Sequence, residues 1–194
     1  MDLSTFSDER LMEMVVEDGK SSAFEELMRR YLRPVYGFLV NYLQEESAAE
    51  DCAQEAFFKA WKNSDQFKPQ FKFKTWLFSI ARNSALDYLK KKKTYSFSYL
   101  EKDNEDWVEN LADSAPSLED IFSRLESKEK VDKILSILEP KDREILLLHY
   151  TEELTFEEIA VALNKPLNTV KSRHLRVLRK LRDRLEGDAP DRDR

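Results

Sequence analysis

Between Phe24 and Tyr42 the residues Phe24, Leu27, Met28, Tyr31, Leu32, Val35, Phe38, Leu39 and Tyr42 recur at steps of three and four. That spacing puts all of them on one face only if the backbone is α-helical. The same period returns in most of the chain outside its middle. Three glycines in 194 residues leave little material for tight β-hairpins or glycine-rich phosphate loops. The predicted fold class is therefore all-α.

Local signals divide this helical material. A first helix is expected over about 7–18, with Leu11, Met14 and Val15 inward and Gly19 as its stop. Ser22 with Glu25, and Ser47 with Glu50, have capping-box spacing. Pro34 should kink or split the run between them. The helix to about Asn63 turns Ala49, Cys52, Ala53, Ala56, Phe57 and Ala60 inward. Phe67 to Lys74 reads as a loop, with Thr75 as N-cap of a helix carrying Trp76, Leu77, Ile80, Ala81, Tyr88 and Leu89. Residues 94–116 are polar, acidic and aperiodic, which reads as a linker. Ser117 then caps a helix to about Leu138, and Pro140 opens the next. Thr155 and Glu158 form a further capping box, Asn164 stops that helix, and a last one runs from about Thr169 to Glu186. The tail after Glu186 is expected to be disordered. Two small helical domains, 1–93 and 117–186, joined by a flexible acidic linker, are the expected organisation.

Charge sharpens that division. The net charge is −6, which taken evenly would disfavour nucleic acid. It is not even. Residues 67–93 hold 8 Lys/Arg against 1 Asp/Glu, and 165–184 hold 8 against 1, while 94–125 hold 2 against 8. Two basic segments stand in an acidic chain. The single cysteine, Cys52, excludes an internal disulfide, and with only His149 and His174 beside it a zinc site is not expected. No metal, cofactor or catalytic residue is expected. No apolar run is long enough for a membrane helix and the N-terminus is polar and acidic, so a cytoplasmic location is expected.

Three constellations carry chemistry. Residues 155–182 have the order of a helix-turn-helix, whose second helix enters the major groove. With Val170, Val177, Leu178 and Leu181 inward, Lys171, Ser172, Arg173, Leu175 and Arg176 are available to base edges, and Arg179, Lys180 and Arg182 to phosphates. His174 shares the inward face and reads as a part-buried helix residue; His149 and Tyr150 are given no role. In the middle basic segment Phe67, Lys68, Phe71, Lys72, Phe73 and Lys74 interleave rings with cations, the mixture that holds single strands. Asn83 beyond them could hydrogen-bond an extruded base. Trp76, Leu77 and Ile80 read as core. Finally, Asp51, Gln54 and Glu55 share one helix face. Their chemistry alone leaves a protein contact and a solvated face equally open.

Together these segments resemble the extracytoplasmic-function (ECF) subfamily of bacterial sigma-70-type RNA polymerase sigma factors. AEDCAQEAFFKAWKN is similar to that family's polymerase-binding helix, FKTWLFSIARNSALDYLKKKK to its promoter-melting and minus-ten helix, and LTFEEIAVALNKPLNTVKSRHLRVLRKL to its minus-thirty-five helix-turn-helix. The resemblance covers about residues 8–186. It implies a sigma2-type bundle and a sigma4-type helix-turn-helix domain in a non-enzymatic initiation subunit. It further implies that Asp51, Gln54 and Glu55 meet the β′ clamp coiled coil of core polymerase, with the β flap as a second polymerase contact. Phe67, Lys68, Phe71, Lys72, Phe73, Lys74 and Asn83 would take the minus-ten strand. Thr169, Lys171, Ser172, Arg173, Leu175, Arg176 and Arg179 would take the minus-thirty-five duplex. An anti-sigma factor is an expected partner by resemblance. Asn168 stands where the family often has Gly, His174-Leu175 where an apolar residue usually comes first, and the basic loop has no Gly. The competing readings are a helix-turn-helix regulator that works without polymerase and a metal-dependent nucleic-acid enzyme built on the acidic helix.

Overall fold

The computed structural model describes residues 2–95 and 135–187. Most of the expected acidic linker, the start of the helix expected from Ser117, and the tail from 188 lie outside the described residues. Among the described residues every regular element is helical.

Four helices build the N-terminal half. Helix α1 (Asp8–Asp18) is capped by the Ser7 hydroxyl, which accepts from Arg10 N–H, and ends at Gly19 with φ 61°. Only glycine takes that left-handed turn without strain. Helix α2 (Ser21–Leu43) runs through Pro34 without being split. A proline inside a helix costs about 3 kcal/mol. Here Ala23, Phe24 and Leu27 before it and Val35, Phe38, Leu39 and Tyr42 after it are all buried on one side, and that burial offsets the loss. Helix α3 is Glu46–Lys62 and helix α4 is Phe73–Tyr95, two residues past the expected boundary. Neither α2 nor α3 carries the side-chain capping bond expected at Ser22 and Ser47: their N-caps are Lys20 and Glu45. Both serines already lie inside the helices.

Helix α4 starts two residues before Thr75 because its first turn is held from elsewhere. The Phe73 N–H donates to Glu9 Oε1, 3.3 Å away on α1. Thr75 is left buried within the helix with its hydroxyl unpartnered. The bundle interior is aromatic: Phe38 stacks on Tyr42 and meets Phe78 edge-on, and Tyr31 meets Phe73 edge-on.

The C-terminal half re-enters at Leu135. Pro140 opens α5 (Pro140–Leu146) as expected, and the helix widens into one π-type turn over Leu147–Thr151. Helix α6 (Phe156–Leu163) has the expected capping box, with Thr155 and Glu158 bonded reciprocally, and Asn164 ends it at φ 50°. Helix α7 (Leu167–Gly187) starts two residues before Thr169, its Val170 N–H bonding back to the Pro166 carbonyl. Val170, Val177, Leu178 and Leu181 are buried in one core with Ile145, Leu148, Ile159 and Leu163.

The two halves pack on one another, α4 against α6 and the end of α2 against α5 and the π turn. Arg143 fastens that junction. Buried, it donates to the carbonyls of Tyr42 (2.7 Å), Leu135 (2.7 Å) and Leu138 (2.8 Å). Burial pushes its pKa down, while the guanidinium's five donors let it satisfy several chain ends at once.

Candidate nucleic-acid interface and partner groove

The helix-turn-helix is built from α6 and α7. The capping box fixes the start of α6, and the αL residue Asn164 turns the chain so that α7 leaves at once. With Val170, Val177 and Leu178 packed inward, Lys171 is exposed and Thr169, Ser172, Arg173, Leu175, Arg176 and Arg179 are half-buried. One continuous helix face therefore offers these seven side chains. The Ser172 hydroxyl donates to the Thr169 carbonyl in the preceding turn, and Lys171 lies 3.8 Å from Glu157.

His174 is on the buried face, and the structure supplies the partners that the sequence did not. Tyr150 Oη lies 2.8 Å from His174 Nε2. His149 stacks on Phe156 with ring centroids 4.3 Å apart and donates from Nδ1 to the Leu154 carbonyl. The rings of His149, Tyr150, Phe156 and His174 form one cluster beneath α7. Burial, and secondarily the neighbouring His149, push the His174 pKa down to about 4. It is therefore a neutral packing residue near pH 7.

The middle basic segment is divided by burial. Phe67 and Phe73, expected among the strand-binding rings, are core residues: Phe73 is fully buried, and both pack against Trp76. A ring with no free face cannot stack a base. Phe71 alone of the three rings is exposed. Lys68 and Lys72 are exposed, Lys74 is half-buried, and Asn83 is exposed on α4. Ten residues of helix separate Phe73 from Asn83, about 15 Å along the axis. Asn83 thus sits well up the helix from the loop. Its side-chain carbonyl accepts from Arg82 Nη1 at 3.4 Å.

On α3 the three expected contact residues Asp51, Gln54 and Glu55 are exposed together. Glu55 reaches Lys59 at 2.9 Å. Beneath them Cys52 is buried, and burial, with the Glu55 and Asp51 charges, raises its thiol pKa to about 11. Beside Gln54 opens a groove of about 420 Å³ between α2 and α3. Phe24, Met28, Leu32, Phe57, Phe58 and Trp61 line it. Leu32, Phe58 and Trp61 remain 52%, 63% and 40% exposed around one groove, and a contiguous exposed apolar patch marks a partner site. The periodicity of α2 and α3 counted Leu32 as core and assigned Phe58 and Trp61 nowhere. An aromatic residue off the inward stripe was the available signal. Among the described residues no cluster of His, Cys, Asp and Glu is arranged to hold a metal ion.

Two family models match the chain: Sigma-70 region 2 over residues 27–95 and Sigma-70 region 4 over residues 128–181. They cover most of the groove, the basic segment and the helix-turn-helix. The ECF RNA polymerase sigma factor SigW of Bacillus subtilis is 33% identical over 88% of this chain and 92% of its own. The chain belongs to the ECF group of sigma-70 factors. The RpoE factor of Cereibacter sphaeroides is 28% identical over 90% of this chain and 93% of its own, and the sigma-E factor of Haemophilus influenzae 30% over 93% and 96%. Among solved structures, CnrH in complex with the cytosolic domain of CnrY superposes with TM-score 0.66 at 24% identity, covering 94% of this chain and 99% of that one. RpoE with the anti-sigma factor NepR from Bartonella quintana gives 0.61 at 23%, covering 85% and 98%. At that identity they establish the fold, two all-α domains of the sigma type.

Membership in this sigma family makes the chain a transcription initiation factor for RNA polymerase. Among the described residues no helix is long and apolar enough to cross a membrane.

Proposed function

We propose that this sigma factor works through three surfaces used in turn. Core polymerase docks on α3, where Asp51, Gln54 and Glu55 meet a basic clamp helix and Leu32, Phe58 and Trp61 receive its apolar side chains. The observation that carries this reading is the adjacency of the polar triplet to the groove: Gln54 belongs to both. A solvated face would not place three exposed apolar side chains beside the polar stripe. The α5–α7 domain supplies the second polymerase contact, at the β flap.

The minus-thirty-five duplex is read by α7. Lys171, Arg173 and Arg176 reach base edges, Leu175 meets a thymine methyl, and Thr169, Ser172 and Arg179 hold backbone phosphates. The minus-ten strand is taken by Lys68, Phe71, Lys72 and Lys74, with Asn83 bonding a base turned out of the stack. Unstacking costs a few kcal/mol and is offset by that capture, so opening needs no nucleotide hydrolysis. Phe67 and Phe73 brace the loop from below. An anti-sigma factor, such as the NepR bound to RpoE of Bartonella quintana, would hold the factor inactive by covering these surfaces.

Footprinting of the reconstituted holoenzyme tests the assignment. Wild-type factor is expected to protect two promoter elements and to make the downstream one permanganate-reactive. Asp51→Lys with Glu55→Lys should abolish both signals while leaving the weak duplex affinity of the free chain intact. Unchanged polymerase affinity in that variant would refute the α3 surface.

A further inference from the structure

Val170, Val177, Leu178 and Leu181 seat α7 on its domain through apolar contacts. Such contacts have no preferred direction, and helices packed through them vary by about 15–20° in how they lie. Side chains end about 6 Å from a helix axis, where a roll of about 15° carries a tip about 1.5 Å. Groups that must meet a ligand in one geometry need to be held within about 0.5 Å.

His174 lies between Val170 and Val177 on the same stripe and is 7% exposed. An apolar residue there would simply continue the stripe. His174 instead places Nε2 2.8 Å from Tyr150 Oη, with the two rings stacked at 5.6 Å between centroids. A hydrogen bond between ring atoms is directional, so it fixes the roll that apolar contacts leave free. Arg173 and Leu175, on either side of His174, are half-buried and turn with it.

Tyr150 is itself held by an unusual stretch of backbone. It belongs to the π turn, where Glu152 N–H reaches back five residues to the Leu147 carbonyl at 3.0 Å. The Leu154 N–H then bonds the Leu148 carbonyl at 2.9 Å, and Glu153 between them has φ 55°. A residue with a side chain is strained there. His149 is pinned as well, its Nδ1 on the Leu154 carbonyl and its ring on Phe156 of α6. A π turn and a strained residue beside it gather where a side chain has to be aimed, and the side chain aimed at α7 is Tyr150.

We propose that Tyr150, acting through His174, is a positioning residue for reading the minus-thirty-five duplex. The pair fixes the roll of α7 so that Arg173, Leu175 and Arg176 meet base edges in one register. It sets sequence discrimination, while general affinity comes from phosphate contacts. The inference rests on the duplex role proposed for α7.

The test uses reconstituted holoenzyme and a duplex library randomised across the upstream promoter element, with the bound fraction sequenced. Tyr150→Phe keeps the ring and removes the hydroxyl; His174→Leu keeps an apolar packing residue and removes the nitrogen. Each should cut the enrichment of preferred over average sequences about tenfold, the size of one misplaced bidentate base contact. Affinity for a single non-specific duplex should stay within about twofold, because phosphate contacts carry it. The double variant should lose no more than either single one, since both remove the same bond. Unchanged enrichment, an equal loss of affinity for every sequence, or additive losses in the double variant overturns the proposal. If His174→Leu fails to fold, Tyr150→Phe decides alone, because Tyr150 is 40% exposed and its ring is kept. Arg173→Ala checks the underlying reading of α7. Enrichment changed there but not by Tyr150→Phe overturns the positioning role and keeps the duplex assignment; enrichment unchanged in both removes the two together.

Discussion

The Arg82 guanidinium and the Glu144 carboxylate, 62 residues apart in the chain, meet with Nε 2.8 Å from Oε2 at the junction of the two domains. Tyr42 donates its hydroxyl to the same oxygen at 3.2 Å. Burial, then the Glu144 charge, raise the Tyr42 pKa above its ordinary value, so that hydroxyl stays a donor. Glu144→Ala takes the carboxylate away from a half-buried guanidinium and leaves the buried Tyr42 hydroxyl without its acceptor. The expected loss is about 3 kcal/mol, at the low end for broken buried pairs because Arg82 retains some solvent. Urea unfolding of the two proteins measures it, and a difference under about 1 kcal/mol would contradict the stated role.

The His174 cluster sets an acid limit on the C-terminal domain. Its pKa is held at about 4, below the ordinary 6.5. The fold thus favours the neutral ring. Its contribution is fully present above pH 6.5 and is lost as pH falls from there through 4. One group so displaced removes up to about 3 kcal/mol over that window. Thermal melts from pH 7.5 to 4 should show the drop, and His174→Gln should flatten it. A wild-type stability that stays level across the window excludes a buried neutral His174.

Phe58 separates binding from folding. Its ring is 63% exposed, so Phe58→Ser should change stability by no more than about 0.5 kcal/mol. An aromatic anchor in a partner groove is worth about 2 kcal/mol or more, roughly thirtyfold in affinity. Competition for core polymerase against the wild-type factor reads that ratio. Equal competition would remove the groove from the interface.

Thr75 gives an opposite expectation, a gain. Its Oγ1 is buried and makes no hydrogen bond. Thr75→Val keeps the shape and removes the unpaired hydroxyl, which should stabilise the chain by about 1 kcal/mol. A lower urea midpoint in the variant would show that the hydroxyl has a partner in solution.

In the proposed reading, strand capture turns on Asn83. Asn83→Ala should leave closed-complex affinity within about twofold and reduce permanganate reactivity of the minus-ten element about tenfold, the effect of losing roughly one charge-free hydrogen bond to an extruded base. Equal losses in both measurements would assign Asn83 to general affinity.

Helix periodicity made α2, α3 and the inward faces of α6 and α7 legible, because those contacts are local and repeat every three or four residues. Thr155 and Glu158 were legible for the same reason: both halves of the capping box lie within four residues. The start of α4 was not, since its cap comes from Glu9, 64 residues earlier. Phe67 and Phe73 alternate with lysines just as an exposed strand-binding loop would, and only the packing of Tyr31 and Trp76 around them shows that they are core. The ion pairs between the domains, Lys72 with Glu158, Lys74 with Glu152 and Arg82 with Glu144, have no sequence signature at all. The charge partition located the basic segments, yet nothing local showed that Glu144, Glu152 and Glu158 would face one of them.

The most direct measurement is run-off transcription with purified core polymerase, this chain and a genomic promoter library. Specific transcripts are predicted that share two upstream elements, disappear when the chain is omitted, and are lost with Asp51→Lys and Glu55→Lys combined. Titration that gives no transcript above core polymerase alone would contradict the account.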